Sequence, residues 1–179
     1  LNLPPNELER LLFDDVPYLE VAQQEHDRFA EILREQGVEV LYLEKLVAEA
    51  FAANPGARDE FLDQYLAEAG IHGQKMPAIV REYLNTFTDD LEFVKKTMAA
   101  LPRAKSTCRS HRPPPLTIGQ RSQRQAERLI IDPMPNLYFT RDPFACVGNG
   151  VNLNRMYSVT RNRETLYGKY IFKYHPDYK

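Results

Sequence analysis

Asp142 is the residue best placed for chemistry in this chain. It lies near the end of the run Pro133-Met134-Pro135-Asn136-Leu137-Tyr138-Phe139-Thr140-Arg141-Asp142-Pro143-Phe144. Pro133 and Pro135 stiffen the approach and exclude a helix interior or a central strand. Leu137, Tyr138 and Phe139 then suit a short buried strand. Pro143 biases Asp142 towards extended geometry. The expected product is a carboxylate at a strand end, beside an asparagine and an aromatic ring. Such a site suits a planar cation, because a guanidinium presents its N–H donors in a fixed fork and a carboxylate accepts them in pairs. The plain alternative is an Asp142 that pairs with its neighbour Arg141.

Few other residues compete for a chemical role. The two cysteines, Cys108 and Cys146, show neither metal-ligand spacing nor a disulfide framework. This usage fits a reducing cytoplasm. His26 falls on a helical face and His175 precedes a proline; neither is assigned to catalysis. The chain has 179 residues, is 43% hydrophobic and 27% charged, and carries a net charge of −2. That length can bury one proper core, and that charge demands neither nucleic acid nor an anionic membrane. No apolar run reaches the eighteen or so residues of a membrane span.

The elements that must hold Asp142 follow from periodicity. Residues 7–13 read as a short helix or turn, with Leu8, Leu11 and Leu12 on one face. Asp14 or Asp15 is the expected N-cap of the next helix, with Pro17 in its first turn. Leu19, Ala22, His26, Phe29 and Leu33 recur at helical spacing, and Gly37 suits the helix end. Val38 to Leu43 reads as a strand. Between 44 and 101 four amphipathic stripes appear, broken at Asn54-Pro55-Gly56, at Gly70 and before Pro102, and they predict a small helical bundle. From Leu129 the pattern turns to strands: 129–131, 137–140 and 144–147. Gly148-Asn149-Gly150 marks a hairpin turn, and Val151 and Leu153 begin the return strand. A helix starting near 162–165 buries Leu166, Tyr170, Ile171 and Tyr174.

Residues 103–128 differ. They hold Arg103, Lys105, Arg109, Arg112, Arg121, Arg124 and Arg128 against Glu127 alone, with Pro113-Pro114-Pro115 in the middle. Three readings stand: a shifted reading frame, a disordered linker, or a basic arm for nucleic acid. No stacking aromatic lies among the basic residues, which weakens the last.

The run PMPNLYFTRDPFA, the segment Arg161 to Phe172 followed by His175-Pro176, and Glu7-Leu8-Glu9-Arg10-Leu11-Leu12 before Phe13-Asp14-Asp15-Val16 together resemble bacterial arginine deiminase. The likeness covers residues 1–101 and 130–179 well and the stretch between them poorly. It implies an α/β fold, a partial α/β propeller of ββαβ units with an inserted helical bundle. The implied units are 1–44 and 129–179 as propeller parts, 45–102 as the helical insert and 103–128 as the irregular stretch. It also implies that the chain is an N-terminal fragment.

The implied reaction is hydrolysis of L-arginine to L-citrulline and ammonia, through a cysteine amidino intermediate, without metal or organic cofactor. Five residues match the family's substrate contacts. Asp142 matches one of two guanidinium-binding aspartates, and Asn136 a residue at the amino-acid end. Phe139 matches a wall against the aliphatic stem, and Arg161 an arginine for the substrate carboxylate. Leu12 matches a leucine on a loop that closes over the substrate. The family's nucleophilic cysteine, catalytic histidine, glutamate and second aspartate fall beyond Lys179, and Cys146 does not match the nucleophile. No catalytic residue is therefore expected here, and the fragment alone is expected to be inactive. The resemblance further implies a cytoplasmic protein, homo-oligomeric when full length, with L-arginine as its partner and neither nucleic acid nor membrane.

Each residue also has a plain reading: Phe139 and Leu12 as core, Asn136 as a turn former, and Arg161 in a solvated ion pair with Glu164. Two other functions remain open. One is a hydrolase acting on agmatine or a methylated arginine, although agmatine has no carboxylate for Arg161. The other is a non-catalytic interaction module using the helical insert or the basic arm.

Overall fold

The computed structural model describes residues 5–15, 17–71, 73, 75–102 and 129–179. The basic stretch 103–128, with Cys108 and its three competing readings, lies outside the described residues. The described part is mixed helix and small antiparallel sheet, an α/β chain.

Helix α1 (Pro5–Arg10) ends in a Schellman turn. The Phe13 N–H donates to the Leu8 carbonyl at 2.8 Å and the Leu12 N–H to that of Glu9 at 3.2 Å. Helix α2 (Leu19–Glu35) is entered through an extended Tyr18, so neither Asp14 nor Asp15 caps it. It closes as expected, with Gly37 at φ +78°. The expected stripe along α2 is not buried: Leu19 and Phe29 are 66% and 62% exposed, and Ala30 is the buried residue of this helix. Residues 38–42 are irregular rather than a strand, and Leu43 already begins the next helix.

The four-helix reading of the middle of the chain matches the structure. Helices α3 (Leu43–Ala53), α4 (Ala57–Glu68), α5 (Lys75–Asn85) and α6 (Asp90–Met98) follow one another with short breaks. Gly56, at φ +94°, supplies the left-handed residue between Pro55 and the start of α4 at Ala57. Asp89 caps α6, its carboxylate accepting the Glu92 N–H at 2.8 Å. Asp89→Ala is expected to cost about 1 kcal/mol. A urea melt with unchanged slope and a lower midpoint would show it; an unmoved midpoint would contradict it.

A last helix, α7 (Glu164–Tyr174), closes the core. The Phe61 ring lies at its centre, 5.3 Å from Phe51, 5.5 Å from Tyr167 and 5.3 Å from Tyr170. Offset and edge-on aromatic pairs of this kind add to the burial energy of each ring. One hydrophobic core thus runs from α3–α6 into α7. Polar ties repeat the join outside it: Lys173 and Tyr174 both bond Glu60, and Lys169 bonds Gln64. Tyr174 is part-buried at the rim of that core rather than inside it.

Two short antiparallel sheets complete the described fold. Strand β1 (Leu101–Pro102) pairs with β2 (Leu129–Ile131). Strand β3 (Phe144–Val147) pairs with β4 (Gly150–Leu153) around a turn at Gly148 and Asn149. β3 lies close to α7: a Cβ on Gly168 would stand 2.9 Å from the Phe144 ring. The expected strand at 137–140 is instead a series of turns. Its N–H groups bond locally, Phe139 to the Asn136 carbonyl at 3.0 Å and Asp142 to that of Phe139 at 3.3 Å. Two nearby prolines, lacking donors for a ladder, favour this solution.

Candidate functional site

Pro133, Met134, Pro135 and Asn136 are buried where the chain leaves β2, and the run then turns outward. A neighbouring arginine fixes that exit. The Arg163 guanidinium, 3% exposed, donates to the Asp132 carbonyl at 2.7 Å and to the Tyr65 hydroxyl at 3.4 Å. Burial pushes the Tyr65 hydroxyl up to about 12, against the pull of Arg163. The hydroxyl stays protonated and donates to the Thr97 carbonyl at 3.0 Å. The start of the run is thereby tied to the helical core.

Arg161 approaches from the other side, at the end of a short 3-10 turn, Val159–Arg161. Its Nη1 donates to Asp142 Oδ2 at 2.9 Å, and its Nε to Glu164 Oε2 at 2.9 Å. Its Nη2 lies 3.4 Å from the Asn136 carbonyl. Its guanidinium carbon stands 5.9 Å from the Phe139 ring centre, within cation–π range. The other oxygen of Glu164 accepts the Asn136 N–H at 2.9 Å. Asp142, Asn136, Phe139 and Arg161 therefore form one cluster around a buried glutamate.

The electrostatics of the cluster are uneven. The side chain of Asp142 is 47% exposed, that of Arg161 15%, and that of Glu164 0%. Burial opposes the Arg161 charge, yet its bonds to Asp142 and Glu164 hold its pKa above the ordinary value. Burial raises the Glu164 pKa, while the bonds from Asn136 and Arg161 pull the other way.

The alternative partner for Asp142 is corrected, since the carboxylate pairs with Arg161 rather than Arg141. The ion pair of Arg161 with Glu164 is buried rather than solvated. Glu164 was missed as a site residue, although the spacing Arg161-x-x-Glu164 at a helix start carries the signal.

Leu12 stands apart from the hydrogen-bonded cluster. It follows α1, and α1 is tied nearby: Arg10 grips Asp132 at 2.6 and 3.0 Å, and Thr160 Oγ1 lies 3.5 Å from the Arg10 carbonyl. Leu12 is 42% exposed and holds φ +59°. That backbone conformation strains a leucine by on the order of 1–3 kcal/mol, so Leu12 is not the plain core residue its periodicity suggested.

Elsewhere the chemistry is thin. Cys146 is exposed on β3. His175 is buried and engaged, its Nε2 3.0 Å from Glu49 and its Nδ1 accepting the Asp177 N–H. Among the described residues no group of His, Cys, Asp and Glu could hold a metal ion. No described helix is long and apolar enough to cross a membrane.

Comparison with known proteins decides the family. The family model for arginine deiminase matches residues 9–179. The chain belongs to the arginine deiminase family. It is 55% identical over 177 residues to the arginine deiminase of Streptococcus gordonii. It is 54% identical to that of Streptococcus sanguinis strain SK36 and 53% to that of Streptococcus pneumoniae TIGR4. Each match covers 99% of this chain and 42% of the relative, so the chain spans less than half the length of these arginine deiminases. All five candidate residues lie inside the family match.

Proposed function

We propose that the Asp142–Arg161 cluster is the part of an arginine deiminase site that receives L-arginine, for hydrolysis to L-citrulline and ammonia. The observation that carries this reading is a carboxylate and a guanidinium held side by side, in a chain of this family. L-arginine bears the complementary pair: a guanidinium for Asp142 and a carboxylate for Arg161. Arg161 suits the second task because its fork meets two carboxylate oxygens at once. Phe139 lines the aliphatic stem and Asn136 meets the amino-acid end. Leu12 belongs to a segment that closes over the ligand.

The reaction needs a nucleophile at the guanidinium carbon, a poor electrophile because its charge is delocalised. A thiolate attacks that carbon and ammonia leaves, after which water releases citrulline from the amidino sulfur; covalent catalysis divides one hard step into two. On this reading the cysteine, histidine, glutamate and second aspartate of the scheme lie in the part of the relatives' length that this chain does not span. Cys146, exposed on a hairpin, is not the nucleophile. The same reading makes the α/β elements part of a propeller of ββαβ units, carried by 1–44 and 129–179, with 45–102 as the helical insert. It also makes the whole protein a cytoplasmic homo-oligomer that needs no cofactor.

The test is a product assay on the protein at the length of its relatives. Citrulline and ammonia are expected in equal amounts from L-arginine, and none from the 179-residue chain alone. Turnover of agmatine in preference to L-arginine would overturn the substrate assignment. Citrulline made by the short chain would overturn the placement of the nucleophile.

A further inference from the structure

The two roles proposed for Asp142 and Arg161 collide in this structure. Asp142 Oδ2 is occupied by Arg161 Nη1 at 2.9 Å. A ligand guanidinium needs that carboxylate, and a ligand carboxylate needs that arginine. While the two residues hold each other, neither is fully available. One of the bonds that fix Arg161 must therefore give way when the ligand enters.

The exposures decide which. Asp142 is 47% exposed, so water and salt already compete for its bond to Arg161. Glu164 is 0% exposed, and its bond to Arg161 Nε at 2.9 Å is shielded from that competition. The second oxygen of Glu164 is held by the Asn136 N–H, and its backbone by the first turn of α7. A glutamate so fixed can act as a pivot. With Nε anchored, the Nη1 and Nη2 edge of Arg161 is the edge left to turn, and that edge presents two parallel donors to a carboxylate.

We propose that Glu164 is a positioning residue, a pivot about which Arg161 swings off Asp142 to meet the ligand carboxylate as the ligand guanidinium takes its place. This rests on the arginine deiminase reading above and adds a residue to it. Glu164 touches no ligand; it acts through Arg161 and Asn136.

Glu164→Gln in the full-length protein tests the pivot. The two donors sit on different oxygens of Glu164, and an amide replaces one of those oxygens with an NH₂ group, so one of the two bonds is lost. Two numbers are read: the KM for L-arginine, and the inhibition constant of agmatine, which carries the guanidinium without the carboxylate. The L-arginine KM is expected to rise about tenfold or more, while agmatine inhibition moves much less. In an Arg161→Gln background, Glu164→Gln is expected to leave the ratio of the two constants unchanged.

A parallel loss for both ligands, or an unchanged ratio in the single variant, would overturn the proposal. Should Glu164→Gln fail to fold, Glu164→Asp keeps both acceptors one methylene short and is read the same way: a shifted ratio supports the pivot and a fixed ratio overturns it. A wild-type protein that binds neither ligand would overturn the functional reading and the pivot together. A wild type that turns over L-arginine, with the variant ratio fixed, would overturn the pivot alone.

Discussion

Asp142→Asn in a protein of the relatives' full length is expected to lower kcat/KM for L-arginine by roughly a thousandfold. Each charge-assisted hydrogen bond to the carboxylate contributes roughly 1.5–3 kcal/mol. A guanidinium offers two such bonds in parallel, so losing both amounts to about two to four factors of ten, at 1.4 kcal/mol for each. Asparagine turns one oxygen into an NH₂ donor set against the cation and leaves the other uncharged, so neither contact keeps the carboxylate's charge. The same substitution removes the exposed partner of Arg161 and leaves the buried bond to Glu164 in place. Folding should therefore survive, and an unchanged melting profile would confirm that the loss is one of function. Steady-state kinetics with L-arginine read the effect directly. A loss below about tenfold would mean that the carboxylate does not hold the guanidinium.

Phe61→Ala is expected to destabilise the chain by about 3–5 kcal/mol, the usual cost of emptying a fully buried aromatic position. Phe61 is 0% exposed and is surrounded by the rings of Phe51, Tyr65, Phe93, Tyr167 and Tyr170. Neighbours that lean on one ring from several helices cannot all move into the space it leaves. Against a total stability of about 5–15 kcal/mol for an ordinary domain, the loss is large. It also reaches the candidate site, because Glu164 opens the helix whose Tyr167 and Tyr170 rest on Phe61. Chemical denaturation would measure it. A cost below about 1 kcal/mol would show that the core collapses freely around the gap.

Those two substitutions fall in regions that were unequally legible. The helices around Phe61 could be read from spacing, since 3.6-residue periodicity and the breaks at Asn54-Pro55-Gly56 and Gly70 are local signals. The β3–β4 hairpin announced itself through Gly148-Asn149-Gly150. Val38 to Leu43 did not become a strand, because β-branched and aromatic residues favour a ladder only where another strand offers one. Leu137 to Thr140 failed for a different reason: flanking prolines and local i to i+3 bonds made turns the better use of its N–H groups.

The face of α2 was legible as a stripe but not as exposed, since periodicity says which residues share a face and not what covers it. In the site, the type and spacing of residues 133–144 pointed to Asp142. The pairing with Arg161 spans nineteen positions and depends on how α7 docks. Glu164 stayed hidden because a glutamate at a helix start is ordinarily a solvated first-turn residue. Only packing revealed that it is buried between two donors.

The role of Arg161 is read most plainly in the preference of the full-length Arg161→Ala variant for L-arginine over agmatine. Its kcat/KM for L-arginine is expected to fall by at least about tenfold, the worth of a charge-assisted contact, while agmatine is bound much as before, so that the preference collapses. A preference left intact would mean that Arg161 does not receive the ligand carboxylate beside Asp142.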